Sequence, residues 1–278
     1  MCDAAVVMTA AAAHTSPLAA AASGLASVAM TVPHALAILG VGLVGGTVNT
    51  IVGAASLLTF PVLLALGYPA VVANVSNSIG LGVPGSLSGA YGYRRELAGQ
   101  RRRILALLPA ALTGGVAGAV LLLAVPGAFR DVVPWLILGA VVLVIVQPRL
   151  ARWRAERGVI AEHPGPMLHG GLFGTAVYGG YFGAAQGVIM LALFGATLDD
   201  DLQRLNAAKN LISAFVNAIA GVIFIIWADV SWWIVLLLAV SSAIGGQLGA
   251  VLARRIPANV LRGAIVVVGT GVAVKLLV

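Results

Sequence analysis

Thr113-Gly114-Gly115-Val116-Ala117-Gly118-Ala119-Val120-Leu121 and Ile244-Gly245-Gly246-Gln247-Leu248-Gly249-Ala250-Val251-Leu252 are one phrase written twice, 131 positions apart. Pro126 recurs at the same interval as Pro257. Upstream, Gly53-Ala54-Ala55-Ser56 returns as Gly183-Ala184-Ala185-Gln186 after 130 positions, and Asn77 as Asn210 after 133. A period this long marks a duplicated unit, and a drift of a few residues is what loop insertions such as Asp199-Asp200-Asp201 produce. Both copies of the opening phrase are uncharged. Their Gly114/Gly118 and Gly245/Gly249 pairs are small-xxx-small spacings, which let helix backbones approach closely inside a bilayer.

The surrounding chain agrees with that setting. Of its 278 residues 60% are hydrophobic and 9% charged, against roughly a quarter charged in soluble proteins. The mean hydropathy of +1.05 excludes disorder, and a single cysteine, Cys2, excludes a disulfide scaffold. No Asp, Glu, Lys or Arg lies between Asp3 and Arg94, and further charge-free runs cover 104–129, 132–148, 163–198, 210–228, 230–253 and 263–274. In hydrocarbon such segments satisfy their backbone groups only as helices, and the alternation of a β-barrel is absent. The expected fold class is therefore an all-α membrane protein with two inverted repeats and about eight to ten apolar segments, some of them broken or re-entrant helices.

Each half reads as five apolar pieces: about 34–52, 56–67, 70–92, 104–126 and 132–147, then 168–184, 187–197, 205–228, 232–253 and 260–278. The second piece of each is too short to cross. About 11 residues of helix span roughly 17 Å of a core roughly 30 Å thick, so pieces one and two form a broken or re-entrant pair. The arginines set the relation between halves. The loop after piece three is basic in the first half (Arg94, Arg95, Arg101, Arg102, Arg103) but reads Ala228-Asp229-Val230-Ser231 in the second. After piece four the bias reverses, with Arg254, Arg255 and Arg262 in the second half against Arg130 beside Asp131 in the first. Equivalent loops then lie on opposite faces, the pattern of inverted repeats in secondary transporters. The expected organisation is a loose Ala-rich tail at 1–33, a first transmembrane repeat at 34–147, a basic cytoplasmic linker at 148–167 and a second repeat at 168–278. Tail Cys2 receives no function.

The pI near 10.3 does not imply nucleic acid, because the basic residues sit in membrane-flanking clusters that read as positive-inside loops. Trp232 and Trp233 read as an aromatic belt at the opposite face. The strings Gly40-Val41-Gly42-Leu43-Val44-Gly45 and Gly80-Leu81-Gly82-Val83-Pro84-Gly85 match G-x-G-x-x-G, but without strand context they are packing glycines. No Walker A, H-E-x-x-H, C-x-x-C or G-x-S-x-G string is present, and no cofactor, metal or catalytic residue is expected.

The breaks carry the chemistry. Gly53-Ala54-Ala55-Ser56 and Gly183-Ala184-Ala185-Gln186 precede the short pieces, so free N–H groups at the positive ends of two helix dipoles would meet near the membrane middle, a setting for an anion. Piece three adds polar side chains at that level. In the first half these are Asn74, Ser76, Asn77 and Ser78; in the second, Asn206, Asn210, Ser213 and Asn217 at spacings of 4, 3 and 4 form one inward face. Lys209 is the one cation in the apolar zone, supplying charge to a substrate or snorkelling toward Arg204. The Asp199 to Asp201 run reads as a solvated turn and helix N-cap.

At these residues the sequence resembles the TauE/SafE family of membrane permeases, the sulfite exporter family. The resemblance lies in Gly45-Gly46-Thr47-Val48-Asn49 to Gly53, in Ala73-Asn74-Val75-Ser76-Asn77-Ser78 to Pro84-Gly85-Ser86-Leu87-Ser88-Gly89 with Tyr93-Arg94-Arg95-Glu96-Leu97, in Gly179-Gly180-Tyr181-Phe182-Gly183-Ala184-Ala185-Gln186-Gly187, and in Arg204-Leu205-Asn206-Ala207-Ala208-Lys209-Asn210-Leu211. It implies a multi-pass carrier of a bacterial-type inner membrane for sulfite or a small organosulfur anion such as a sulfonate. Thr47-Val48-Asn49 and Ala54-Ala55 depart from the more glycine-rich stretch the resemblance leads one to expect. The expected substrate site is Gly53, Ala54, Ala55, Ser56, Asn77, Ser78, Gly183, Ala184, Ala185, Gln186, Lys209, Asn210 and Asn217. Its partners are a small anion and the lipid bilayer, with homo-oligomerisation left open. The competing readings are a membrane-embedded sulfur-transfer enzyme component and a non-transporting scaffold.

Overall fold

The computed structural model describes residues 31–155 and 165–253 with Gly263 and Thr270, excluding the side chains of 147–155. Cys2, nearly all of the 1–33 tail, the middle of the 148–167 stretch, Arg254, Arg255, Arg262 and the 260–278 piece lie outside the described residues.

Every long regular element among the described residues is a helix: α1 (Val32–Ile51), α2 (Ser56–Ala65), α3 (Ala70–Asn77), α4 (Val83–Gly92), α5 (Arg101–Ala124), α6 (Pro126–Ala155), α7 (Pro166–Tyr181), α8 (Gln186–Thr197), α9 (Leu202–Trp227) and α10 (Trp232–Leu252). Five of these, α1, α5, the 126–146 part of α6, α9 and α10, are long and apolar enough to cross a bilayer, and α2 and α8 are shorter apolar helices. The chain is a multi-pass all-α membrane protein.

Two elements differ from the sequence expectation. The single run expected at 70–92 is interrupted by a π-helical turn, Ser78–Gly82, between α3 and α4. Pro84 lacks the N–H that would reach the Gly80 carbonyl one turn back, and the Ser242 hydroxyl of α10 donates to that carbonyl instead, at 3.2 Å. The corresponding second-half helix, α9, contains no proline and is continuous. At the other boundary, α6 runs on to Ala155, through the first eight positions of the stretch expected as a linker. No glycine follows the apolar run there to end the helix.

The repeated glycines bring the halves together rather than packing each half on itself. A Cβ on Gly114 would meet the Phe173 carbonyl and Ala176, and one on Gly118 would overlap the Val177 carbonyl, so α5 and α7 run the same way with their backbones touching. Gly245 meets the Leu43 carbonyl and the Thr47 amide, and Gly249 the Thr47 carbonyl, so α10 lies in the same relation to α1. Helix α4 also runs beside α10, with Gly80 against Val235, Gly85 against Ser242 and Gly92 against Ala250. From Pro33 onward the described residues cluster as a single compact unit.

Two apolar clusters flank the middle of this unit. Phe60 of α2, Phe129 of α6 and Phe182 just beyond α7 pack edge-to-face, with centroids 5.2–6.3 Å apart. On the other side Leu107, Leu172, Phe194 and Ile212 join α5, α7, α8 and α9.

The acidic turn before α9 is a tether. Asp201 caps the helix as expected, its carboxylate accepting from the Gln203 amide at 2.9 Å. Asp200 is not merely solvated: it accepts from Arg103 of α5 and from Arg204 at 2.7 Å. Burial pushes its carboxyl up, but the hydrogen bonds from Arg103, the Asp201 amide and Arg204 outweigh that and hold it below the ordinary value. A lowered folded-state value makes this stabilisation fully present above the unfolded value, about 4, and lost as pH falls through the folded one. Asp200→Asn is therefore expected to cost about 1 kcal/mol at neutral pH. Thermal unfolding in detergent, repeated at falling pH, should show the gap between variant and parent closing below about pH 4; a gap that stays constant with pH would remove the ion pairs as its cause.

Candidate functional site

Both four-residue strings singled out in the sequence are chain breaks. After α1 the backbone turns through Gly53 at φ +84°, and after α7 through Gly183 at φ +73° followed by Ala185 at φ +60°. The left-handed region is open to glycine at little cost and strained for alanine. The short helices α2 and α8 then begin, neither with a side-chain cap, so their first-turn amides turn back onto the breaks themselves, Leu57 and Leu58 donating to the Ala54 and Ala55 carbonyls and Gln186 and Val188 to those of Gly183 and Ala185, with the positive ends of both helix dipoles at the junction.

The two breaks touch. The Gly187 amide donates to the Gly53 carbonyl at 3.1 Å. A Cβ on Gly53 would sit 2.5 Å from the Gly187 Cα, and one on Gly187 2.6 Å from the Gly53 Cα. One of the α8 amides is thus already committed to the other half.

At this crossing lies a cavity with about 20 Å³ of free space, enough for about one water molecule. Of the residues expected to form the site, Gly53, Ser56, Asn77, Ser78, Gly183, Gln186 and Asn217 line it. Asn77 accepts from Thr59 Oγ1 at 2.6 Å through Oδ1 and donates to Ser56 Oγ at 3.0 Å through Nδ2, which fixes α3 against the start of α2. Asn217 Nδ2 donates to the Ser213 carbonyl at 2.8 Å. Gln186 is buried, and its Nε2 donor has no hydrogen-bond partner among the described residues. A buried donor left unpaired costs about 1–3 kcal/mol, and here it belongs to a residue of the cavity wall.

The other expected residues stand behind the wall. Ala54, Ala55, Ala184 and Ala185 are buried and contribute backbone only, the Ala184 carbonyl accepting from the Tyr178 hydroxyl. Lys209 neither lines the cavity nor snorkels toward Arg204. It is 1% exposed, and Nζ donates to the carbonyls of Asn49 at 3.0 Å and Thr50 at 3.3 Å. Asn206 and Asn210 send their Nδ2 groups to the same Thr50 carbonyl at 3.1 and 3.2 Å. Helix α9 thereby caps the C-terminal end of α1, where orphan carbonyls and the negative dipole end favour a cation. Asn74 and Ser76 also serve neighbouring backbone: Asn74 Nδ2 donates to the Tyr181 carbonyl at 2.9 Å, and Ser76 Oγ accepts from the Ser231 amide at 3.0 Å.

Four lining residues were not among those expected: Asn49, Gly82, Gly187 and Ser213. Ser213 lies on the 206–217 stripe and Asn49 four positions before the first break, so both carried a signal. Gly82 belonged to a string set aside as packing glycine, and it does pack, a Cβ there falling 2.6 Å from Asn217 Oδ1.

A family model described as "Sulfite exporter TauE/SafE" matches residues 38–276. The probable membrane transporter protein YfcA of Escherichia coli is 26% identical over 239 residues, covering 85% of this chain and 87% of that protein. A probable membrane transporter protein of Haemophilus influenzae is 26% identical over 217 residues, with 76% and 81% covered. Another from a Sinorhizobium species is 26% identical over 251 residues, with 88% and 93% covered. No solved structure matches the chain significantly.

Proposed function

The chain belongs to the TauE/SafE sulfite exporter family of membrane transporters, and from that premise we propose that it is a secondary carrier of sulfite or a small organosulfur anion such as a sulfonate, working by alternating access between two inverted repeats. The observation that carries this reading is the convergence of two uncapped helix starts and the unpaired Gln186 amide on one cavity. A buried donor without an acceptor, set at the positive ends of two helix dipoles, suits a negative solute.

The inverted relation is supported by the cross-packing of the halves. Gly114 and Gly118 of the first half lean on α7, the first helix of the second, as Gly245 and Gly249 of the second lean on α1, the first helix of the first. The division proposed is a first repeat at 34–147 and a second at 168–278, with a tail at 1–33 and a linker at 148–167. The arginines from Arg94 to Arg103 would face the cytoplasm in a bacterial-type inner membrane.

Each residue's work follows from its geometry. Gln186 Nε2 would donate to the anion's oxygens, and the positive dipole ends of α2 and α8 would favour its charge. Asn77, Ser56 and Asn217 would replace hydrogen bonds lost with hydration. Lys209 would add positive charge through the α1 end that it holds. Water-sized space leaves no room for the substrate in this arrangement, so entry requires one repeat to rock against the other, separating Gly53 from Gly187.

The test is counterflow in proteoliposomes across sulfite, sulfate, thiosulfate and sulfonates. Exchange of sulfite or a sulfonate is expected, and Gln186→Leu should lower it at least tenfold by removing the donor. Absence of counterflow with all of these anions would leave the sulfur-transfer component, checked by Cys2→Ser in an activity assay, or the scaffold.

A further inference from the structure

We propose that the coupling ion of this carrier is a proton held on Lys209, so that one monoanion and one proton cross together without net charge. The inference rests on the anion-carrier reading above and adds to it the charge of the substrate and the driving ion.

Lys209 is buried, and among the described residues no carboxylate forms an ion pair with it. The ion pairs among the described residues join Asp200 to Arg103 and to Arg204, and none includes Lys209. The described groups that touch the amine are uncharged. Asn49 and Thr50 face it from α1, and its stem runs past Gly187 of α8, where a Cβ would lie 3.2 Å from Cδ. Asn206 and Asn210 converge from its own helix on the same Thr50 carbonyl. Among the described residues a titratable group nearby is the Tyr93 phenol, whose oxygen accepts from Asn206 Nδ2 at 3.2 Å.

The donors and acceptors do not balance for a charged amine. An ammonium carries three N–H donors and a neutral amine two. Lys209 has two acceptors among the described residues, the carbonyls of Asn49 and Thr50. The two acceptors, of which the Thr50 carbonyl is shared with Asn206 and Asn210, match the two N–H groups of a neutral amine and leave its lone pair open to a proton, while an ammonium keeps one donor and a whole charge unpaired in a bilayer, where such a charge is costly. An incoming monoanion in the adjoining cavity offsets that charge. Asn49 joins the two places: its carbonyl accepts from Lys209 and the same residue lines the cavity.

The step conserves atoms and charge. The amine takes up a proton and the cavity takes up a monoanion from the same side, forming an uncharged ammonium–anion pair; both leave on the other side, and no covalent bond other than N–H changes. A dianion would leave the loaded carrier with one negative charge. Hydrogen sulfite and sulfonates are therefore accepted ahead of sulfate and fully deprotonated sulfite.

The full-length protein in liposomes tests this with methanesulfonate, which stays a monoanion across the working pH range, and with sulfite. Counterflow at equal pH comes first and establishes anion carriage. An inward proton gradient of one pH unit should then accumulate the exchanged anion about tenfold, and a potassium–valinomycin potential should add nothing. In Lys209→Gln, any residual counterflow should no longer vary with pH. Counterflow that ignores the pH gradient, or accumulation that follows the membrane potential, overturns proton coupling and leaves the carrier reading intact. No counterflow of either anion overturns both.

Discussion

Gly53→Ala is expected to abolish transport and to lower stability by about 3 kcal/mol, summing two penalties that other glycines allow to be measured separately. The first is conformational: at φ +84° an alanine costs about 1–2 kcal/mol. The second is contact. The new Cβ would lie 2.5 Å from the Gly187 Cα, 2.7 Å from its carbonyl carbon and 3.1 Å from the Val188 nitrogen, all backbone atoms with no rotamer to escape into. Gly67 isolates the first penalty, since it has φ +89° and nothing within 4 Å of its Cβ position. Gly187→Ala isolates the second, because Gly187 is helical and its Cβ would meet the Gly53 Cα at 2.6 Å. Thermal midpoints in detergent and counterflow in liposomes should show Gly67→Ala mildly destabilised and active, and the other two inactive, with Gly53→Ala the least stable. If Gly53→Ala behaves like Gly67→Ala, the two breaks do not bear on each other and the crossing has no functional weight.

That crossing was half legible in the sequence. Charge-free runs gave the helices their places, because charge and hydropathy act on every residue of a span, and the doubled Gly-Ala-Ala strings marked both breaks, because a chain that must turn inside hydrocarbon needs glycine there. Contacts between distant backbones left no such trace. Gly187 reads as an ordinary helical glycine until Gly53 is beside it. The π-helical turn depends on Pro84, which is visible, and on Ser242 supplying the replacement donor, which is not. Lys209 was legible as the one cation in the apolar zone, and the stripe of Asn206, Asn210, Ser213 and Asn217 as an inward face. Periodicity names a face but not what it meets, so the same pattern fitted a substrate ligand, a snorkelling chain and the helix cap that is found. The small cavity is lined by residues from four separate stretches of chain: the first break with the flanking ends of α1 and α2, the α3–π-turn segment, the second break with the start of α8, and α9. No local pattern records such a convergence.

Lys209→Met separates a structural from a functional reading of that cap. If the amine only holds α1, its removal strips the Asn49 carbonyl of its donor while the Thr50 carbonyl keeps Asn206 and Asn210. A lost buried hydrogen bond to a charged group then costs about 1.5–3 kcal/mol, and transport falls only as far as folding does. A lysine retained for transport gives a different pair of results. A buried amine without a counter-charge is a burden on the fold, either as an unpaired ammonium or through giving up the proton it keeps in the unfolded chain, and replacing a buried ionisable group by an apolar side chain of similar length is often neutral or stabilising by about 1–4 kcal/mol. We therefore expect Lys209→Met to raise the thermal midpoint or leave it unchanged while flux falls at least a hundredfold, equivalent to about 2.7 kcal/mol of lost stabilisation along the transport cycle. A midpoint and a flux that fall together would assign Lys209 to the scaffold of α1, and unchanged flux would remove it from the mechanism. A variant that gains stability and loses transport leaves one account of the residue: the membrane tolerates an amine at the end of α1 because an anion must meet a positive charge there.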